Sequence, residues 1–287
     1  MLQFANVGTR LNAFGLIHVR NAAPRKKKMT ETNHQMLNKV PLVTFVFWVI
    51  KILATTVGET GADFLNFNMG LGLTMTSLLA AFILAGFLWL QLRQNRYVPW
   101  IYWTCVVSLS IVGTLITDNL SDNFGVSLYV STALFAIALA ATFLLWHRAE
   151  HTLSIHDITT SSRERYYWLA ILFTFALGTA AGDLVGEQMG LGYALSGAIF
   201  GGLILLITIG YYAKRIGSVL AFWSAYVLTR PLGASMGDYL TQAPKDGGLG
   251  FSTMAISAMF LLIIVVLVAY LTVSKVDAIE RDGGVAE

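Results

Sequence analysis

Tyr166-Tyr167-Trp168-Leu169-Ala170-Ile171-Leu172-Phe173-Thr174-Phe175-Ala176-Leu177-Gly178-Thr179-Ala180-Ala181-Gly182-Asp183-Leu184-Val185-Gly186-Glu187 carries no charge until its last turns. A helix of this length covers about 30 Å, the thickness of a bilayer's hydrocarbon. A strand of this length would leave backbone groups unsatisfied in lipid, so the run reads as a membrane-spanning helix. Its end is unusual. Asp183 and Glu187 follow small residues and precede a glycine turn, Met189-Gly190-Leu191-Gly192.

Working outward, similar apolar blocks occupy about 41–65, 72–93, 98–121, 126–146, 190–212, 216–239 and 250–273. With 166–187 they make eight predicted spans. Of the 287 residues 56% are apolar and only 12% charged, against about 25% in a soluble domain. That excludes a soluble enzyme, a disordered chain and, with one Cys, a disulfide scaffold or a zinc module. The expected fold is all-α and polytopic. Residues 1–39 form a basic tail, 40–275 an eight-helix membrane domain, and 276–287 a C-terminal tail. The tail is patchily apolar, lacks a clean signal-peptide core, and reads as disordered or as the product of a start placed ahead of Met29.

The bases orient the spans. Arg10, Arg20, Arg25, Lys26, Lys27, Lys28 and Lys39 precede the first. Arg93 and Arg96, then Arg148, Arg163 and Arg165, then Lys214 and Arg215, lie in the even-to-odd connections, and Lys275 and Arg281 follow the last span. The odd-to-even connections hold only Lys245. Both termini are therefore expected in the cytoplasm, with the hairpin tips outside.

The ending of the quoted run recurs. Gly58-Glu59-Thr60-Gly61-Ala62-Asp63, Gly113-Thr114-Leu115-Ile116-Thr117-Asp118 and Gly233-Ala234-Ser235-Met236-Gly237-Asp238 close the other odd spans. Aligned on a first acid, they give Glu59, Asp118, Asp183 and Asp238. Asp63, Asp122 and Glu187 follow four residues later, with Gln242 in the fourth repeat. Trp103, Trp168 and Trp223 stand fifteen residues before the first acid in repeats two to four. Four parallel helical-hairpin repeats follow, about 40–95, 96–148, 164–213 and 214–274, with two four-helix halves as one packing.

Seven of the sixteen acids sit in these motifs. Acids at such depth are costly and face a bundle interior or a water-filled cavity. Within the spans only Lys51 and Arg230 are basic, each eight residues before its first acid, which assigns them charge compensation or gating. Arg230 also precedes a helix-breaking proline, Pro231. Converging carboxylates outnumbering their counter-charges take up protons or bind cations. Supporting oxygen ligands are Thr55, Thr114, Thr179 and Asn119. No His enters a motif, so an oxygen shell predicts a hard divalent ion. Met69, Met189 and Met236 are near enough to add a soft ligand, which tilts the choice towards Mn²⁺, Fe²⁺ or Co²⁺, although packing is the simpler reading of them. The string His147, His151 and His156 reads as a polar connection before it reads as a metal relay. No phosphate-binding glycine motif is present.

At these acidic repeats the chain resembles a family of bacterial multipass inner-membrane proteins, catalogued as uncharacterised membrane-anchored proteins and labelled metal transporters. The resemblance covers about 40–275 and implies a bacterial inner membrane and divalent-metal handling. It carries over no site. The Glu-x-Gly-Asp-Lys/Arg-Thr/Ser signature of a manganese and calcium exporter family is absent, since Leu184 follows Gly182-Asp183 and Tyr239 follows Gly237-Asp238.

The expected function is proton-coupled secondary transport of a divalent cation, not enzymatic. Its partners are the metal as substrate, protons and the bilayer. No permanent cofactor and no nucleic acid are expected, and a homo-oligomer is compatible. A lipid-binding protein or enzyme using the outer carboxylates is the second reading, though no Ser-His or Cys-His pair lies on that side. A scaffold or sensor subunit is the third.

Overall fold

A computed structural model describes residues 38–278. The N-terminal tail up to residue 37 and the last residues of the C-terminal tail lie outside the described residues. Eight long helices make up the fold: α1 (Phe45–Asp63), α2 (Gly72–Arg93), α3 (Pro99–Asp118), α4 (Leu128–Glu150), α5 (Ser161–Asp183), α6 (Tyr193–Tyr212), α7 (Ser218–Thr241) and α8 (Thr253–Ser274). Local chemistry sets several starts. The side chains of Thr44, Thr160 and Ser252 accept backbone N–H groups at the heads of α1, α5 and α8, and Pro99 opens α3.

Seven of these helices are long and apolar enough to cross a membrane. Only α7 is not apolar enough by the same measure. It carries Arg230 and Asp238, and Pro231 sits inside it without ending it.

Inner and outer helices divide by sequence. Helices α1, α3, α5 and α7 pack side by side in a closed ring, α1 on α3, α3 on α5, α5 on α7 and α7 on α1. They bring small residues to one another. Gly58 of α1 lies against Ser110 of α3, Gly113 against Phe175 of α5, Gly178 against Arg230 of α7, and Gly233 against Thr55 of α1. Each contact falls three residues before the neighbour's own glycine, so the four crossings are equivalent. A Cβ at any of the four would meet the facing atoms well inside van der Waals contact. Helices α2, α4, α6 and α8 lie outside. They expose Phe82, Ile137, Leu206 and Val266, as lipid-facing helices do, and bury narrow stripes that include Thr76 of α2, Ser131 of α4 and Ser196 of α6.

This ring replaces the two four-helix halves expected as one packing. Each outer helix packs mainly on the inner helix of the next repeat: α2 on α3, α4 on α5, α6 on α7. Helix α8 closes the circle on α1. The Ser257 hydroxyl of α8 donates to Thr60 Oγ1 of α1 at 2.7 Å. The outer helices carry few polar positions to mark the face that meets their partner. The glycines of the inner helices mark theirs.

One end of the ring is sealed by aromatics. Phe47, Tyr102, Tyr167 and Phe222 occupy equivalent places, each followed by tryptophan: Trp48, Trp103, Trp168 and Trp223. Phe47 lies 5.4 Å from Trp103 and 6.1 Å from Phe222, centroid to centroid, and the hydroxyls of Tyr102 and Tyr167 are 2.5 Å apart. Beyond this layer Lys39 is buried, its Nζ 2.5 Å from Glu164 and donating to the Leu92 carbonyl. Gln91 donates to the same carboxylate, and the Tyr97 hydroxyl donates to Asp277 at 2.6 Å. Lys39 and Asp277, expected in the tails, are thus built into the fold.

Candidate functional site

The opposite ends of the inner helices carry the acids, and their register differs from the sequence expectation. Helices α1, α3 and α5 end at Asp63, Asp118 and Asp183, and each continues into a wide π-turn, Phe64–Asn68, Asn119–Asn123 and Leu184–Gln188. Gly70, Gly125 and Gly190 then take positive φ to reverse the chain. Asp63 is therefore the partner of Asp118, Asp183 and Asp238, not a member of a second tier. Glu59 belongs one turn deeper, level with Thr114, Thr179 and Ala234. The tryptophans agree, since Trp48 stands fifteen residues before Asp63 as the other three stand before their aspartates.

The inner ring is thus a stack of layers four residues, about 6 Å, apart. Outermost are Asp122 and Glu187, both exposed, with Gln242 and Phe67 in the equivalent places. Next come the four aspartates. Asp63, Asp118 and Asp183 are half-buried, and Asp238 is 6% exposed. Each lies within Coulombic range of Glu59. Below them is Glu59 with the two threonines, then Thr55, Ser110, Phe175 and Arg230, then Lys51 with Tyr226, and finally the aromatic seal. Five of the seven motif acids are therefore enclosed at least in part, and two form an open rim.

Arg230 organises the centre. Fully buried, it sends one guanidinium nitrogen to Glu59 Oε2 at 2.8 Å, to Thr179 Oγ1 at 2.7 Å and to Thr114 Oγ1. Its other terminal nitrogen donates to the Thr55 carbonyl at 3.2 Å. Three members of one layer thus converge on a side chain from the layer beneath. The fourth member is alanine because α7 itself supplies the arginine. Gly178 clears the space for it, packing against the arginine's own aliphatic stem and Pro231.

Lys51 and Arg230 are not equivalent, contrary to the sequence expectation. Arg230 matches Thr55 in the ring, and Lys51 matches Tyr226. Among the described residues Lys51 also has no ion-pair partner. Its Nζ is buried without a hydrogen-bond partner and sits 4.2 Å from the ring centroids of both Phe175 and Tyr226. Asn119 faces an outer helix, donating to Ser77 Oγ of α2 at 2.8 Å and to the Leu115 carbonyl. The Thr55 hydroxyl donates to the carbonyls of Ile52 and Thr229. Met69 and Met189 are exposed in the turns.

Among the described residues no three His, Cys, Asp or Glu side chains stand close enough to hold one metal ion together. His147, His151 and His156 do not gather. The aspartates arrive one per helix, at one level of the ring. Sequence reasoning missed the four-aspartate layer as a unit and the Lys39–Glu164 pair. The Phe/Tyr-Trp dipeptide fifteen residues before each aspartate was the available signal for the first. Nothing local announces the second, whose partners are 125 residues apart in the chain.

The sequence pattern of a family described as Repeat of Unknown Function (DUF347) matches residues 46–97, 101–152, 166–216 and 221–277. Each match spans one inner helix and the outer helix that follows. The offsets between matches put the four aspartates in register. No curated protein and no solved structure matches significantly.

Proposed function

The chain belongs to the family of the Repeat of Unknown Function (DUF347), and from there we propose that it is a secondary transporter of a divalent metal cation, coupled to protons. One observation carries the reading. Four parallel helices present an aspartate each at the same level, within Coulombic range of one glutamate whose cationic partner, among the described residues, is Arg230.

A divalent cation gathered by the aspartates competes with the guanidinium for Glu59. If it wins, Arg230 loses its carboxylate, and the inner layer must rearrange. That exchange links occupancy to conformation, which is what a transporter requires and a passive rim of acids lacks. A straight pore fits less well, because two buried basic side chains, Arg230 and Lys51, stand in the layers below Glu59. Donors in reach are oxygens, from carboxylates, Thr114 and Thr179, and suit Mn²⁺, Mg²⁺ or Ca²⁺. With one carboxylate per helix, an ion is held at first with part of its water shell. Mn²⁺ remains the leading candidate, and carboxylates that surrender protons to the metal supply the coupling.

In this reading α7 is the eighth span, carried through the membrane with its charges turned to the ring. The chain lies in a bacterial inner membrane, the aromatic end and both termini face the cytoplasm, and the aspartate mouth faces out. In proteoliposomes, Asp183→Asn is expected to abolish Mn²⁺ flux while the protein elutes and melts as the wild type does. Flux at the wild-type rate in that variant removes the proposal.

A further inference from the structure

Outside the inner ring, an elongated cleft of about 700 Å³ runs along the seam of α1 and α7, under the edge of α6. That volume lies within the usual range of small-ligand sites, about 300–1,000 Å³. On α7 its wall extends from Ser218 to Thr229, roughly 16 Å of helix rise. The two ends differ in chemistry. The end far from the connection between α4 and α5 is lined by Ile52, Ile204, Ile207 and Thr229. The other end, beside the connection between α4 and α5, collects Thr44, Ser154, His156, Tyr211 and Ser218.

Charge identifies the occupant. Between the lining residues Tyr212 and Ser218 the chain turns through Lys214 and Arg215, both exposed. Neither makes an ion pair with a described residue. Two bases with no ion pair among the described residues thus sit in the turn between residues that line the polar end of the slot. No acid lines the slot. We propose that this cleft is a binding site for an anionic phospholipid, with one acyl chain along the seam and the phosphate against Lys214, Arg215 and His156. Bases at this level of a membrane protein attract acidic headgroups, and an acyl chain is stabilised with every methylene it buries. The proposal is independent of the cation reading, since no motif acid takes part.

The test is competition measured by native mass spectrometry. The protein is reconstituted with equimolar phosphatidylglycerol and phosphatidylcholine of identical acyl chains, then released in mild detergent. The wild type is expected to retain phosphatidylglycerol in preference, and the double variant Lys214→Gln/Arg215→Gln to lose roughly fivefold of that preference per base. Thr208→Trp, which fills the slot from an exposed position on α6, is expected to lose both lipids. Equal retention of the two lipids by the wild type overturns the proposal. So does an unchanged preference in the double variant, or full retention in Thr208→Trp.

Discussion

Glu59 and Arg230 form an ion pair in which the arginine is wholly buried and the glutamate almost so. Such pairs add little net stability when intact, but removing one partner leaves a bare charge in a poor solvent. Glu59→Gln is predicted to lower stability by about 3–5 kcal/mol, read as a fall in melting temperature in detergent. The double variant Glu59→Gln/Arg230→Met should recover part of that loss. A double variant less stable than the single one would mean that the pair is not what the arginine is held by. At the other end, Asp277 lies beyond α8, and burial raises its carboxyl above the usual aspartate range, the Tyr97 hydroxyl bond offsetting part of this. The folded chain therefore holds a proton that the unfolded chain releases first. This group's contribution to stability declines as pH rises from the ordinary aspartate value through the folded one. Asp277→Asn is predicted to flatten that decline in melting curves taken across the acid range. The acids, Arg230 and the two threonines were all legible from their spacing. The convergence of the threonines on Arg230 was not, because it joins three helices.

At the level of the helix, the glycine before each motif decides how closely neighbours approach. Gly113→Ala would drive a methyl into Phe175, and Gly233→Ala one into Thr55, at points where backbone stands directly behind. Each is predicted to cost about 1–3 kcal/mol. By contrast, Gly86→Ala and Gly202→Ala on the outer helices meet open space and should be neutral or slightly stabilising, since alanine is the better helix former. Thermal melts of the four variants check the contrast. The element boundaries were readable from apolar length, and the described helices fall close to the expected blocks. The repeat register was not, because α1 offers two acids one turn apart, Glu59 and Asp63, and either fits a rule that counts acids. Packing resolves it, since Gly58 meets Ser110 as Gly113 meets Phe175. The displaced register also produced the false equivalence of Lys51 and Arg230.

Across the whole molecule, four repeats close into a circle by handing each outer helix to the next repeat. The last handover, α8 to α1, is the joint on which closure depends. With Cys105→Ser as background, Thr60→Cys and Ser257→Cys are predicted to form an intramolecular disulfide under mild oxidation, because their hydroxyls are 2.7 Å apart. Failure to form it would mean an open array of repeats. This architecture was beyond the reach of sequence pattern. Repetition shows that units exist, but a few serines and threonines on otherwise apolar outer helices do not say which neighbour they cover. The circle matters for the proposed function because it puts four aspartates at one level of the ring, above a single glutamate–arginine pair. The most direct measurement is Mn²⁺ uptake by proteoliposomes holding the wild-type protein, with internal pH followed by a trapped dye. The account predicts saturable uptake, above that of empty liposomes, accompanied by proton movement in the opposite direction. No uptake of Mn²⁺, Mg²⁺ or Ca²⁺ beyond the empty-liposome level, with or without a pH gradient, would contradict it.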